Sequence, residues 1–151
     1  MLKEYPSSLD SLGLRLGHVH RLWRMVVDHT VAPLGLTQPR WTALIVLRHL
    51  GEGATQKRLA DSLGIELSSL SRTLEQLERQ GLVHRCTSAG DRRAREVWFT
   101  PEGRHVLAEL DARANEARAR LLEGIPEQER DALLRVLSRI ESNADEVLGF
   151  S

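Results

Sequence analysis

Residues 82–100 constrain the fold more than any other part of this chain. Leu82-Val83 and Val97-Trp98-Phe99 are short apolar runs flanking a turn that contains Gly90, and three of the four residues from Arg92 to Arg95 are arginines. That is the pattern of a β-hairpin with a cationic tip. A catalytic core has no use for such a tip. A β-ribbon pressed against a phosphate backbone does, because charge neutralisation and counterion release supply most of the affinity there. The segments before the hairpin decide whether it is a nucleic-acid-binding element or a solvated loop.

Those segments read as helices. Leu12, Leu16, Val19, Trp23 and Val26 fall on one helical stripe, which predicts a first helix from about residue 8 to about 32, ending at Pro33. Thr37 is placed to cap a second helix carrying Trp41, Leu44, Ile45, Leu47 and Leu50, and Gly51 and Gly53 stop it. Thr55 is placed to cap a short third helix with Leu59, Ala60 and Leu63, broken at Gly64. A fourth helix is expected over about 66–80, with Leu67, Leu70, Leu74 and Leu77 inward and Gly81 closing it. After the hairpin, Thr100-Pro101-Glu102 starts a long helix with Leu107, Leu110, Ala114, Ala117 and Leu121 in phase. Gly124 and Pro126 separate it from a last helix carrying Leu133, Leu137, Ile140, Ala144 and Val147.

The third and fourth helices, joined at Gly64, have helix-turn-helix proportions. Opposite the leucine stripe of the fourth lie Ser68, Ser69, Arg72, Gln76 and Arg79. Small hydroxyls let a helix sink into the major groove, and arginine can hold a guanine edge through two hydrogen bonds. The same face would suit an ordinary solvated helix; the arginine-rich hairpin that follows favours a recognition helix with a wing. Within the wing, Asp91 and Arg93 lie two apart and can pair on one side. An arginine held extended at a ribbon tip suits the negative potential of a narrow minor groove. Arg92, Arg95 and Arg85 are candidates for phosphate contacts, against the plainer reading of Arg85 and Arg95 as cross-strand surface charges.

The first and the last two helices carry narrow heptad-like stripes, the form of helices that pack on other helices, often across subunits. A homodimer built from both termini is expected, since three such helices on one small lobe would expose much apolar surface. The division expected is therefore 8–34 and 101–148 for dimerisation helices and 37–100 for a winged helix-turn-helix lobe. The fold class expected is mainly α with a small β-hairpin.

These residues resemble the MarR family of bacterial transcription regulators, and within it the SlyA-like branch. The wing signature stands here as Asp91-Arg92-Arg93 followed by Phe99-Thr100-Pro101-Glu102-Gly103. Trp23-Arg24, Asp28-His29, Pro33-Leu34-Gly35-Leu36-Thr37-Gln38, Trp41, Leu59-Ala60, Leu63-Gly64-Ile65-Glu66 and Ser69-Leu70-x-Arg72-Thr73-Leu74-x-Gln76-Leu77-Glu78-x-x-Gly81-Leu82 match the branch, so the resemblance covers nearly the whole chain. It implies a homodimeric winged-helix protein on a pseudo-palindromic site in double-stranded DNA. It also implies control of transcription, often as a repressor, sometimes with release by a small aromatic carboxylate such as salicylate.

Composition narrows the alternatives. The 151 residues are 41% hydrophobic and 28% charged, enough for one soluble domain with helical extensions. The net charge is zero, which excludes a uniformly basic chain but not a basic patch. One cysteine, Cys86, allows no internal disulfide. No apolar run reaches the ~18 residues of a membrane span, and Met1–Pro6 does not read as a signal peptide, so a cytoplasmic location is expected. His18 and His20 diverge on a helix, and the other histidines lack ligand spacing, so neither metal nor cofactor is expected. Cys86 beside Arg85 could sense redox state or be incidental. Arg21, Trp23, Arg24, His29 and Trp41 combine aromatic faces with cations, a chemistry suited to an aromatic acid; the alternative is that the tryptophans are core. No nucleophile elbow, phosphate loop or paired buried carboxylates point to an enzyme. The competing function is a helical protein-interaction module without DNA binding.

Overall fold

The computed structural model describes residues 8–150; the expectation about Met1–Pro6 lies outside them. The element order is α1 (Leu12–Val31), α2 (Gln38–Leu50), α3 (Gln56–Leu63), α4 (Leu67–Arg79), β1 (Val83–Thr87), β2 (Arg95–Phe99), α5 (Pro101–Leu121) and α6 (Glu127–Leu148). The chain forms two compact units that part at Arg118–Ala119.

The first unit is built around helices α2, α3 and α4, which pack on one another, with α3 and α4 also reaching the hairpin. Leu44, Leu47, Leu59, Leu70, Leu74 and Leu77 are fully buried, together with Val97 from β2 and Leu110 from α5. Burial of each such leucine contributes about 1.5–3 kcal/mol, so the leucine stripe that defines α4 also fixes which face it turns outward. Between α3 and α4 the chain reverses at Gly64, whose φ of 64° and ψ of 32° lie in the left-handed region that glycine enters freely. Its N–H bonds the carbonyls of Ala60 and Asp61. Thr55 caps α3 as expected, its hydroxyl accepting from Arg58 N–H at 3.2 Å. Thr37 stands at the N-cap of α2, yet its hydroxyl accepts from Arg40 Nε at 3.0 Å and caps no backbone N–H.

The hairpin is antiparallel, with Val83 opposite Phe99, Arg85 opposite Val97 and Thr87 opposite Arg95. The free edge of β2 is covered by the segment before α3: Gly53 N–H bonds Val97 O at 2.9 Å and Val97 N–H bonds Ala54 O at 3.0 Å. The hairpin is thus seated against the lobe along β2. Thr100 caps α5, accepting from Gly103 N–H at 2.9 Å.

Helix α1 buries Val27 and Val31 in this core, and Trp23 and Val26 pack against it. Its N-terminal stripe is left largely uncovered among the described residues: Leu12, Leu16 and Val19 are 41%, 40% and 50% exposed. The second unit contains the end of α5 and α6. Arg130 Nε donates to Ile125 O at 2.7 Å across the turn that starts α6, and α6 has no buried residue. Among the described residues no helix is long and apolar enough to cross a membrane.

Candidate nucleic-acid interface

Helix α4 presents Ser68, Ser69, Arg72 and Gln76 to solvent on the side opposite Leu70, Leu74 and Leu77. Arg79 extends that face and pairs loosely with Glu75, one turn back, at 3.9 Å. The expected inward position of Leu67 is corrected: it is 48% exposed, and Thr73 takes the fourth buried position of the helix. Leu67 is the first residue of α4, and no core layer lies beneath that turn. Instead it lines a cleft of about 570 Å³ between the N-terminal ends of α3 and α4 and the wing, with Lys57, Asp91, Arg93 and Arg95.

The wing tip is organised by Asp91. Its Oδ1 accepts the backbone N–H of Arg93 at 2.9 Å, and the Arg93 Nε lies 3.8 Å from the same oxygen. The backbone bond is the shorter, so Asp91 shapes the turn first and steers the guanidinium second. The Arg93 side chain is 95% exposed. Arg92 and Arg95 are also exposed.

Arg85 departs from expectation. It was expected among the phosphate contacts, but its side chain is only 7% exposed and faces α4. Glu78 Oε1 accepts from the Arg85 backbone N–H at 3.1 Å and from Nε at 3.0 Å, and Oε2 accepts from Nη2 at 2.9 Å. Nη1 donates to Gln56 Oε1 at 3.1 Å and to Ser71 Oγ at 3.2 Å. These hydrogen bonds hold the Glu78 carboxyl below its ordinary range and keep Arg85 still more firmly protonated. The partners Glu78, Gln56 and Ser71 were missed in the sequence. One signal was available: side chains alternate along a strand, so Arg85 must share the inward face of Val83.

The five residues expected around a small acid are not brought together. Arg21 and Arg24 line a cleft of about 200 Å³ with Met25, Asp28 and Gln38. With the Gln38 amide oxygen turned toward it, Arg24 donates from Nη1 at 2.8 Å and Nε at 3.1 Å. Trp41 is corrected to the core: it is buried, and its indole N–H donates to Asp28 Oδ1 at 3.2 Å. Trp23 packs against the same core, and His29 is exposed and lines neither cleft. Among the described residues no three His, Cys, Asp or Glu side chains are grouped to hold a metal ion. Cys86 is exposed on β1.

A helix-turn-helix followed by a seated hairpin with an arginine at its tip is a winged helix. The model of the MarR family matches residues 34–94. A solved structure described as the transcriptional regulator PA3341 is 39% identical over 89% of this chain and 98% of its own, with a TM-score of 0.82. The chain belongs to the MarR family. A MarR-family regulator from Rhodococcus sp. RHA1 is 28% identical over 89% of this chain and 95% of its own, with a TM-score of 0.79. The transcriptional repressor CouR, bound to a 23-mer DNA duplex, is 31% identical over 93% of this chain and 99% of its own, with a TM-score of 0.78. CouR from Rhodococcus jostii RHA1 has also been solved bound to p-coumaroyl-CoA, at 29% identity over 87% and 92% of the two chains and a TM-score of 0.76. Membership makes this chain a transcriptional regulator of the DNA-binding, winged-helix kind.

Proposed function

We propose that this MarR-family regulator, of the SlyA-like branch, acts in the cytoplasm as a homodimeric repressor on a pseudo-palindromic operator. In each copy α4 enters the major groove and Arg93 enters the flanking minor groove. Ser68, Ser69, Arg72 and Gln76 read base edges or phosphates in the major groove, and Arg92 holds phosphate. The observation that carries the reading is the wing: an arginine that is 95% exposed at the tip of a hairpin seated on the helix-turn-helix lobe. An exposed guanidinium at such a tip suits a narrow groove of negative potential.

Residues 37–100 form the reading lobe, and residues 8–34 and 101–148 form the dimer. Support for the second part comes from apolar side chains left in water. Leu9, Leu14, Leu22 and Met25 join the exposed N-terminal stripe, and α6 exposes Leu133, Leu134, Val136, Ile140 and Val147. Apolar surface on that scale is stable in solution when a second copy covers it. The Arg21–Arg24 cleft is where a small aromatic acid would bind, its carboxylate on the guanidiniums. The ligand class proposed is a small aromatic acid such as salicylate, its ring lying along the cleft that Arg21 and Arg24 line with Met25.

The test is Arg93→Ala, measured on an operator duplex selected by the full chain from random-sequence DNA. Affinity should fall by about 2 kcal/mol and the slope of log K against log salt should shrink by about 1. Unchanged affinity and slope would remove the wing from the interface.

A further inference from the structure

Arg85 joins three elements through one guanidinium. It is carried by β1, takes both carboxylate oxygens of Glu78 and the hydroxyl of Ser71 on α4, and reaches Gln56 on α3. Nearer the tip, the 570 Å³ cleft keeps the wing off the start of α4, so the two reading elements do not pack on each other there. Their mutual angle is therefore set at the base of the hairpin. Gly90 lies five residues beyond Arg85, past the end of β1 at Thr87, so the lever is at most roughly 17 Å at about 3.3 Å per residue. A tilt of about 10° at the base would then move the tip by up to about 3 Å, half the ~6 Å width of a minor groove.

We infer that Arg85 is a positioning residue that locks the wing to the recognition helix, so that minor-groove and major-groove reading succeed or fail together. It touches no DNA. Its bonds hold Arg93 at the height and angle where the groove runs when α4 is seated. The inference rests on the wing reading proposed above.

The test compares the cost of Arg93→Ala in two backgrounds, on the same selected operator duplex and with the full chain. One background is native; the other is the pair Arg85→Met with Glu78→Leu, which removes both charges at once and leaves neither buried alone. In the native background Arg93→Ala should weaken binding about 30-fold. In the second background it should weaken binding by less than about fivefold, because the tip no longer seats, while far-UV circular dichroism remains native. Arg85→Lys keeps the charge but not the fork. It should behave like the second background, and it replaces that pair if the pair does not fold. An equal cost for Arg93→Ala in native and altered backgrounds overturns the inference, since a residue that only supports the fold would leave the wing's contribution intact. No cost even in the native background overturns the wing reading itself.

Discussion

Gly103→Ala is the substitution on which local propensity and packing disagree most sharply. The glycine sits in the first turn of α5, where alanine is the better helix former by about 1 kcal/mol. A Cβ at Gly103, however, would lie 1.9 Å from the carbonyl oxygen of Leu82 and 2.8 Å from its carbonyl carbon. That is more than an ångström short of the ~3.3 Å at which carbon and oxygen meet. The obstacle is backbone and cannot rotate away. The same carbonyl accepts Thr100 N–H at 3.1 Å, and the Thr100 hydroxyl donates to Gly81 O at 2.6 Å. To relieve the clash, the start of α5 must lift from the start of β1. That costs about 1–3 kcal/mol of strain, with about 1 kcal/mol more for the lost backbone bond and about as much for the disturbed cap. Packing wins, and the net loss is about 2–4 kcal/mol after the propensity gain. For a chain of this size the melting temperature should drop by about 5–15 °C, followed by circular dichroism at fixed protein concentration because the melt of the proposed dimer depends on it. Gly17→Ala is the control. Within the chain, among the described residues, the added Cβ there meets the flexible Arg21 side chain at 3.5 Å, and the helix propensity gained should raise stability by up to about 1 kcal/mol. A Gly103→Ala protein that melts at or above the parent would refute the reasoning.

Arg72→Ala should reduce discrimination against single-base variants of the operator by about 1–3 kcal/mol at one position per half-site; a uniform loss over all sequences would make Arg72 a phosphate contact. The Glu78 carboxyl is lowered by its hydrogen bonds from Arg85, so its contribution to stability is complete above the unfolded value near 4.5 and is lost as pH falls through the folded value. Urea unfolding of the parent and Glu78→Gln should therefore differ by a constant amount at neutral pH, begin to converge as pH falls below 4.5 and meet only below the lowered folded value; a gap that does not narrow over that fall would contradict the assignment. Removing residues 126–151 should give a monomer by sedimentation, and a full-affinity dimer after that truncation would rule α6 out of the interface.

Periodicity made much of the scaffold legible. The leucines at 70, 74 and 77 fixed both the existence of α4 and its outward face, and Gly64, Thr55 and Thr100 marked helix ends that the structure reproduces. The misreadings share a cause. Leu67 is in phase with Leu70 and Leu74, but phase says nothing about whether a neighbour exists at that height, and here a cleft opens instead. Trp41 beside cations looked like a wall for a ligand, whereas its indole has an internal partner in Asp28, thirteen residues back in the chain. Such pairings depend on how α1 and α2 meet, which no local pattern encodes.

The arginines extend that argument to function. Arg85, Arg92 and Arg93 were all candidates for DNA contact, yet Arg85 is inside and Arg93 is in water. The same sorting accounts for a chain of zero net charge that binds a polyanion. Several carboxylates are engaged within the chain: Glu78 by Arg85, Glu52 by Arg104 and the Phe99 N–H, Asp111 by Arg48, and Asp28 by Trp41. Arg72 and Arg92 are exposed and hold no ion pair among the described residues. Screening limits what a phosphate senses to charges within about 8 Å at physiological salt. At that range the wing tip, with Arg92, Arg93 and Arg95 against Asp91, carries net positive charge, whatever the balance of the whole chain. What matters for DNA is therefore which arginines already have a carboxylate partner, and that is decided by packing rather than by composition.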